Sequence, residues 1–228
     1  MKFLLLTILV FLTAPVFAQN LPKTDNQWWD DITITKPLIK TKDKKGKEFE
    51  RLSVFFNGTL RFGNKLKTNI DERIGFGFDI KVNHFLTLTP SYLYRSNKPD
   101  LTKREYESRF RFAATLEKKL TKFSIKDRNL VEYRMRNSHA DSTRYRNKFT
   151  FTYPLLHNDK EIFAPFIADE PYYDFSIKHW SRNEFLVGIT KKFNKHFTTE
   201  MYYLRQDNRS GIPKAVNAIG MNFKFKLD

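Results

Sequence analysis

The sequence predicts an all-β protein, an antiparallel transmembrane β-barrel of about twelve strands, with ten as the alternative under the even-number rule for such barrels. Three observations predict it. The first segment has the form of an export leader, apolar side chains recur at every second position through most of the remaining chain, and 23 Phe and 10 Tyr share the chain with a formal charge of +16. Strands that show one face to lipid and gather ionic groups on the other require this pairing of aromatic and charged residues.

The leader comes first. Met1 and Lys2 make a short basic start, Phe3 to Phe17 run almost wholly apolar, and Val16-Phe17-Ala18 sets small residues where signal peptidase needs them. Cleavage is expected after Ala18, with residues 1–18 as signal peptide and 19–228 as one outer-membrane barrel domain. The apolar run, at about fifteen residues, is too short for a spanning helix, and nothing after Ala18 approaches the length one needs. The chain contains no cysteine, so it forms no disulfide and offers no acylation site of the lipoprotein kind. Its basic balance suits an acidic partner. Export and the even spread of Lys and Arg exclude nucleic acid, whereas outer-membrane lipid and the phosphates of lipopolysaccharide fit the compartment. The expected location is the outer membrane of a Gram-negative bacterium.

Each strand can be justified in chain order. Ile32 to Lys40 forms the first, weakened by Pro37, and residues 20–30 before it are open between a lumenal crossing, a further strand and a loose end. From Arg51 to Phe62 the even positions are apolar apart from Gly58, and Arg61 lies on the other face. Ile70 to Val82 sets Ile74, Phe76, Phe78 and Ile80 against Asp71, Arg73, Asp79 and Lys81, with Glu72 a polar intruder on the apolar face. Glu105 to Glu117 alternates Tyr106, Phe110, Phe112 and Leu116 with Glu105, Glu107, Arg109, Arg111 and Glu117, two sets that a helix would mix around its circumference. Glu132, Arg134 and Arg136 oppose Val131, Tyr133 and Met135, and Arg144, Arg146 and Lys148 oppose Tyr145, Phe149 and Phe151. Phe185, Val187 and Ile189, then Ile219 to Leu227, complete the series. Short basic connections (81–85, 118–123, 191–197) alternate with others expected to be longer (96–103, 137–143, 176–182, 206–214), the asymmetry of periplasmic turns and extracellular loops.

Near the start, Asp25, Gln27 and Trp29 spell Asp-x-Gln-x-Trp, and the stretches Pro171-Tyr172-Tyr173-Asp174 and Arg182 to Gly188 carry a similar style toward the end. Here the chain resembles a bacterial family catalogued as a domain of unknown function and regarded as an outer-membrane β-barrel. The resemblance implies fold and location and carries no catalytic residues. Barrel-assembly machinery, the expected partner during biogenesis, favours a terminal aromatic, whereas this chain ends Phe225-Lys226-Leu227-Asp228.

The chemistry expected of the chain lies in its lumen. Arg61, Arg73, Lys81, Arg109, Arg111, Arg134, Arg136, Arg144, Arg146 and Lys148 are expected to face Asp71, Asp79, Glu105, Glu107, Glu117, Glu132, Glu184 and Glu200. Such rings of charge line a narrow channel for small solutes, anions among them, or pair into a plug that conducts nothing. The role expected first is thus non-enzymatic, as a narrow channel or an envelope structural protein. An enzymatic alternative rests on His179-Trp180-Ser181, which resembles the His-x-Ser arrangement of outer-membrane lipid A deacylase barrels, with Asp174 or Glu184 to orient the base. A third reading, a soluble secreted barrel, turns the alternation inside out and encloses a hydrophobic ligand. The five histidines show no ligand spacing, and no metal or other cofactor is expected. Trp28, Trp29, Tyr92, Tyr94, Tyr153, Tyr172, Tyr173, Tyr202 and Tyr203 are expected in interface girdles, with Tyr172, Tyr173 and Trp180 a weaker candidate sugar-binding track.

Overall fold

The computed structural model describes residues 24–42, 46, 48–63, 68–98, 103–158, 160–210 and 213–228; the expected signal peptide and its cleavage site lie outside them. Twelve strands form: β1 (Thr24–Lys42), β2 (Glu48–Gly63), β3 (Thr68–Lys81), β4 (Leu86–Asn97), β5 (Glu105–Lys119), β6 (Ser124–Arg136), β7 (Ser142–Thr152), β8 (Leu155–His157), β9 (Lys160–Asp174), β10 (His179–Lys192), β11 (Phe197–Asn208) and β12 (Ala215–Lys226).

Strands neighbouring in sequence pair antiparallel, as periodicity of two with short connections demands. Eleven of them complete the ring, because β8 only continues β7 past Tyr153-Pro154 and pairs with the start of β9. An up-and-down ring of odd number must bring its first and last strands together parallel. β1 and β12 accordingly pair parallel, from Thr24↔Ala215 to Thr35↔Lys226. That seam departs from the antiparallel pairing expected throughout. The residues left open before the first strand are, from Thr24 onward, the first half of β1. Pro37 ends nothing: register shifts between Pro37 and Lys40 absorb its missing donor.

The apolar half of each strand faces out. Phe56, Ile74, Phe110 and Phe112 are each more than half exposed, and across β2 to β5 the rings of Phe56, Phe76, Tyr92 and Phe110 form a ladder with centroid spacings of 6.4, 5.8 and 5.5 Å. The soluble-barrel reading required these rings inside. Inside instead lie Glu107, Arg109, Glu132, Arg144, Glu170 and Glu184, all buried.

The turns at one end share a local design. Asn83 Oδ1 accepts the backbone N–H groups of Phe85 and Leu86 at 2.8 Å, and Asn194 Oδ1 accepts those of His196 and Phe197 at 2.8 and 2.9 Å. These Asx turns close the β3–β4 and β10–β11 hairpins and explain why the two basic segments look alike. At the opposite end, the loop end, β4 runs to Asn97, β7 starts at Ser142, β10 starts at His179 and β11 runs to Asn208, so the four connections expected to be long are shorter than expected because the strands run further than their apolar alternation does. There the β9–β10 turn holds Lys178 at a φ of 53°.

Candidate lumenal site

Toward the loop end the inward side chains pack into a buried ionic layer. Glu132 on β6 is 0% exposed; Arg144 on β7 donates Nε to its Oε1 at 2.6 Å, and Arg109 and Arg146 approach its Oε2 at 3.6 and 3.8 Å. Glu107 on β5 accepts from Arg109 at 2.8 Å and from Arg134, with Arg95 at 3.4 Å. Asp71 on β3 holds Arg73 and Arg95, both at 2.7 Å, and Glu170 on β9 holds Arg128 and Arg146, both at 2.7 Å. Cross-strand register sets two of these pairs, since Glu107 stands opposite Arg95 and Glu132 opposite Arg144. Buried Tyr172 adds an aromatic face, with Arg146, Arg144 and Arg182 at 4.4, 4.9 and 5.6 Å from its centroid. Ionic layers of this kind are stable only while every charge keeps its partners.

The opposite wall of the lumen is apolar. Trp29, Phe166, Leu186, Tyr202, Leu204, Val216 and Ala218 form a buried cluster across β1 and β9 to β12. Gly220 makes room for it, since a Cβ there would collide with the Tyr202 ring. Trp29 Nε1 donates to Gln27 Oε1 at 2.7 Å, Gln27 Nε2 donates to Asp25 Oδ2 at 2.9 Å, and the Arg61 guanidinium stacks 3.4 Å over the indole. The Asp-x-Gln-x-Trp spacing is therefore a hydrogen-bonded ladder on the inward face of β1, where alternate residues share a side. Trp29, Tyr172 and Tyr202 accordingly belong to the lumen, a correction to the girdle expected for them. Tyr173 and Trp180 meet edge-on at 5.4 Å and Trp180 is half exposed, so the sugar-track residues do not share a face with Tyr172.

Below these layers the lumen is open. A cavity of about 460 Å³ lies at mid-barrel, and a second of about 350 Å³ shares Arg111, Lys126 and Arg128 with it. Two more, of about 270 and 640 Å³, continue past Lys81, Thr87 and Glu117 to the turn end. None of the four is lined by Glu107, Arg109, Glu132, Arg134, Arg144 or Asp174.

The expected lumenal residues thus divide by height. Arg73, Glu107, Arg109, Glu132, Arg134, Arg144, Arg146 and Glu184 belong to the ionic layer or its underside. Arg61, Arg111 and Lys148 line the mid-barrel cavity, and Lys81 and Glu117 line the turn-end cavities. Glu105 and Arg136 sit at the loop rim, where Glu105 accepts from Asn97 at 3.4 Å and Arg136 donates to the carbonyl of Ala140. Arg95, Arg128 and Glu170 join the lumen without having been expected there. Arg128 is within reach of sequence reasoning, by extending the phase of Glu132 and Arg134 back along β6. Glu170 is not, because Pro165, Asp169 and Pro171 put polar and ring-closed residues on the outward face of β9.

The weaker catalytic set does not assemble. Ser181 lies at a register shift in β10 and donates to the Tyr172 carbonyl at 3.3 Å, not to His179. Asp174 Oδ1 accepts from the N–H and hydroxyl of Ser176 at 3.0 and 2.5 Å, leaving His179 without a hydrogen bond to either residue. Among the described residues no group of three or more His, Asp or Glu is placed to hold a metal ion.

Comparison with known proteins bears on the whole barrel. The family model described as "Protein of unknown function (DUF2490)" matches residues 26–217. Among solved structures, LpxR from Salmonella typhimurium is similar over 78% of this chain and 83% of its own, at 9% identity and a TM-score of 0.45. None of the curated proteins matches the chain.

Proposed function

The chain belongs to the DUF2490 family, and from that premise we propose that it is an integral outer-membrane barrel of a Gram-negative envelope that neither catalyses nor conducts. In this reading it is a wall protein with a sealed loop end and a lumen that opens at the turn end, toward the periplasm. Apolar side chains on the outer wall and ionic ones within support membrane insertion, because lipid contact reverses the distribution of a soluble barrel. The basic Asx turns at one end support assigning that end to the periplasm.

The observation that carries the non-conducting role is the fully buried Glu132 with three arginines converging on it. A channel needs a continuous water path, whereas these charges exchange water for one another. The test is reconstitution of the purified protein in planar bilayers: no unitary conductance is expected, and discrete current steps would overturn the reading. For the lipid-modifying alternative, replacing His179 and Ser181 by Ala is expected to leave the lipid A acylation pattern unchanged.

A further inference from the structure

The mid-barrel cavity carries more positive charge than its own carboxylates neutralise. Four of its five carboxylates are already ion-paired, Glu170 by Arg128 and Arg146 at 2.7 Å, Glu184 by Arg182 at 3.7 Å, Glu117 by Lys126 at 3.6 Å, and Glu200 by Lys224, and the fifth, Asp31, accepts from the Thr59 hydroxyl. Three lining cations make no ion pair among the described residues: Arg61, which stacks on Trp29, Arg111 and Lys148. Neither Arg111 nor Lys148 makes a hydrogen bond or ion pair with any described residue, and the Nε of Arg111 is buried without a partner. Register makes the excess local. Lys148 stands directly opposite Arg128 on the inward face, a like-charge pairing that costs stability unless an anion lies between. The Nε of Arg128 is also buried and unpartnered. The carboxylate nearest in register to Arg111 is Glu132, which three other arginines already surround.

We propose that Arg111, Arg128 and Lys148 form a binding site for a small soluble phosphate-bearing anion that enters from the turn end. Guanidinium forks match the oxygens of a phosphate, and a lysine adds a point charge without demanding a fixed geometry. The cavity of about 460 Å³ admits inorganic phosphate or a small phosphomonoester. The sealed layer above makes the site a dead end, so the ligand is held and released on one side. This proposal rests on the reading of a lumen closed at the loop end.

The test uses the full-length barrel folded in detergent micelles, with inorganic phosphate and glycerol phosphate as probes against chloride at equal ionic strength. Titration calorimetry is expected to show saturable binding of one phosphate, and phosphate to raise the unfolding temperature where chloride does not. Arg111→Met and Lys148→Met keep the aliphatic stem and strand no carboxylate. Each is expected to weaken phosphate binding at least about tenfold, the share of one charge-assisted hydrogen bond. Each is also expected to leave the anion-free barrel as stable as before or more so, because like-charge repulsion is relieved. A merely structural role predicts the opposite sign. Lys122→Met, in the exposed β5–β6 turn, is the control. Equal effects of phosphate and chloride, or undiminished phosphate binding in both variants, would overturn the site. Conductance steps in bilayers with phosphate binding intact would overturn the sealed lumen instead.

Discussion

Removing the charge of Glu132 tests the ionic layer at its most buried point. In Glu132→Gln the side chain keeps its size, but Arg109, Arg144 and Arg146 lose a common counter-charge. At an effective dielectric of about 20, a contact near the 3.6 Å separation of Arg109 has a gross Coulomb energy of about 4 to 5 kcal/mol. Relief of the carboxylate's own burial offsets several kcal/mol of the total. The losses are unequal. Arg109 keeps Glu107 at 2.8 Å and Arg146 keeps Glu170 at 2.7 Å, whereas Arg144 has no other ion pair among the described residues. One stranded guanidinium in a buried layer sets the net cost at about 3 to 5 kcal/mol, between two and four decades in the folding constant. Equilibrium urea unfolding in detergent micelles, followed by the shift between folded and unfolded gel bands, reads this directly. Adding Arg144→Met removes the stranded charge and is expected to bring stability back to within about 1 kcal/mol of the parent. An unperturbed single variant, or a double variant worse than the single, would refute the argument that pairing holds the layer.

Trp29→Ala is expected to cost about 3 to 5 kcal/mol in the same assay, since it empties part of the buried cluster and unseats both Gln27 and Arg61. Phe112→Arg, on the outer wall of β5, should cost about 2 to 4 kcal/mol on refolding into bilayers, while Thr115→Arg on the lumenal face of the same strand costs far less. Equal penalties would mean that the two faces have been exchanged. Because the chain has no cysteine, Lys178→Cys at the loop end and Lys122→Cys at the turn end can be probed singly with a membrane-impermeant maleimide. Labelling of the first and protection of the second on intact cells is expected. Lys178→Gly should raise the unfolding free energy slightly, by about 0.5 to 1 kcal/mol, because a side chain at a φ of 53° is strained where glycine is not.

Reading β5 from the sequence is straightforward for a physical reason. Glu107, Arg109 and Arg111 on one side and Phe110 and Phe112 on the other are forced apart by the pleat, whatever the rest of the chain does. The same local rule locates Glu132, Arg134, Arg144 and Arg146. It fails on β9, where Ala164, Phe166 and Ala168 face inward against an apolar wall and leave no contrast between the faces. It fails also for Trp29 and Tyr202, whose rings suit a girdle and a packed lumen equally well.

By itself the sequence determined that the chain forms strands, which residues share a face, and where the Asn-centred turns fall, because each depends on neighbours a few positions apart. The tertiary structure decided the parallel β1–β12 seam, since ring parity is a property of all the strands together. It also decided that charges near the loop end pair into a buried layer while Arg111 and Lys148 below remain unmatched. That division follows from register between strands up to a whole barrel circumference apart, a distance over which no local pattern carries information.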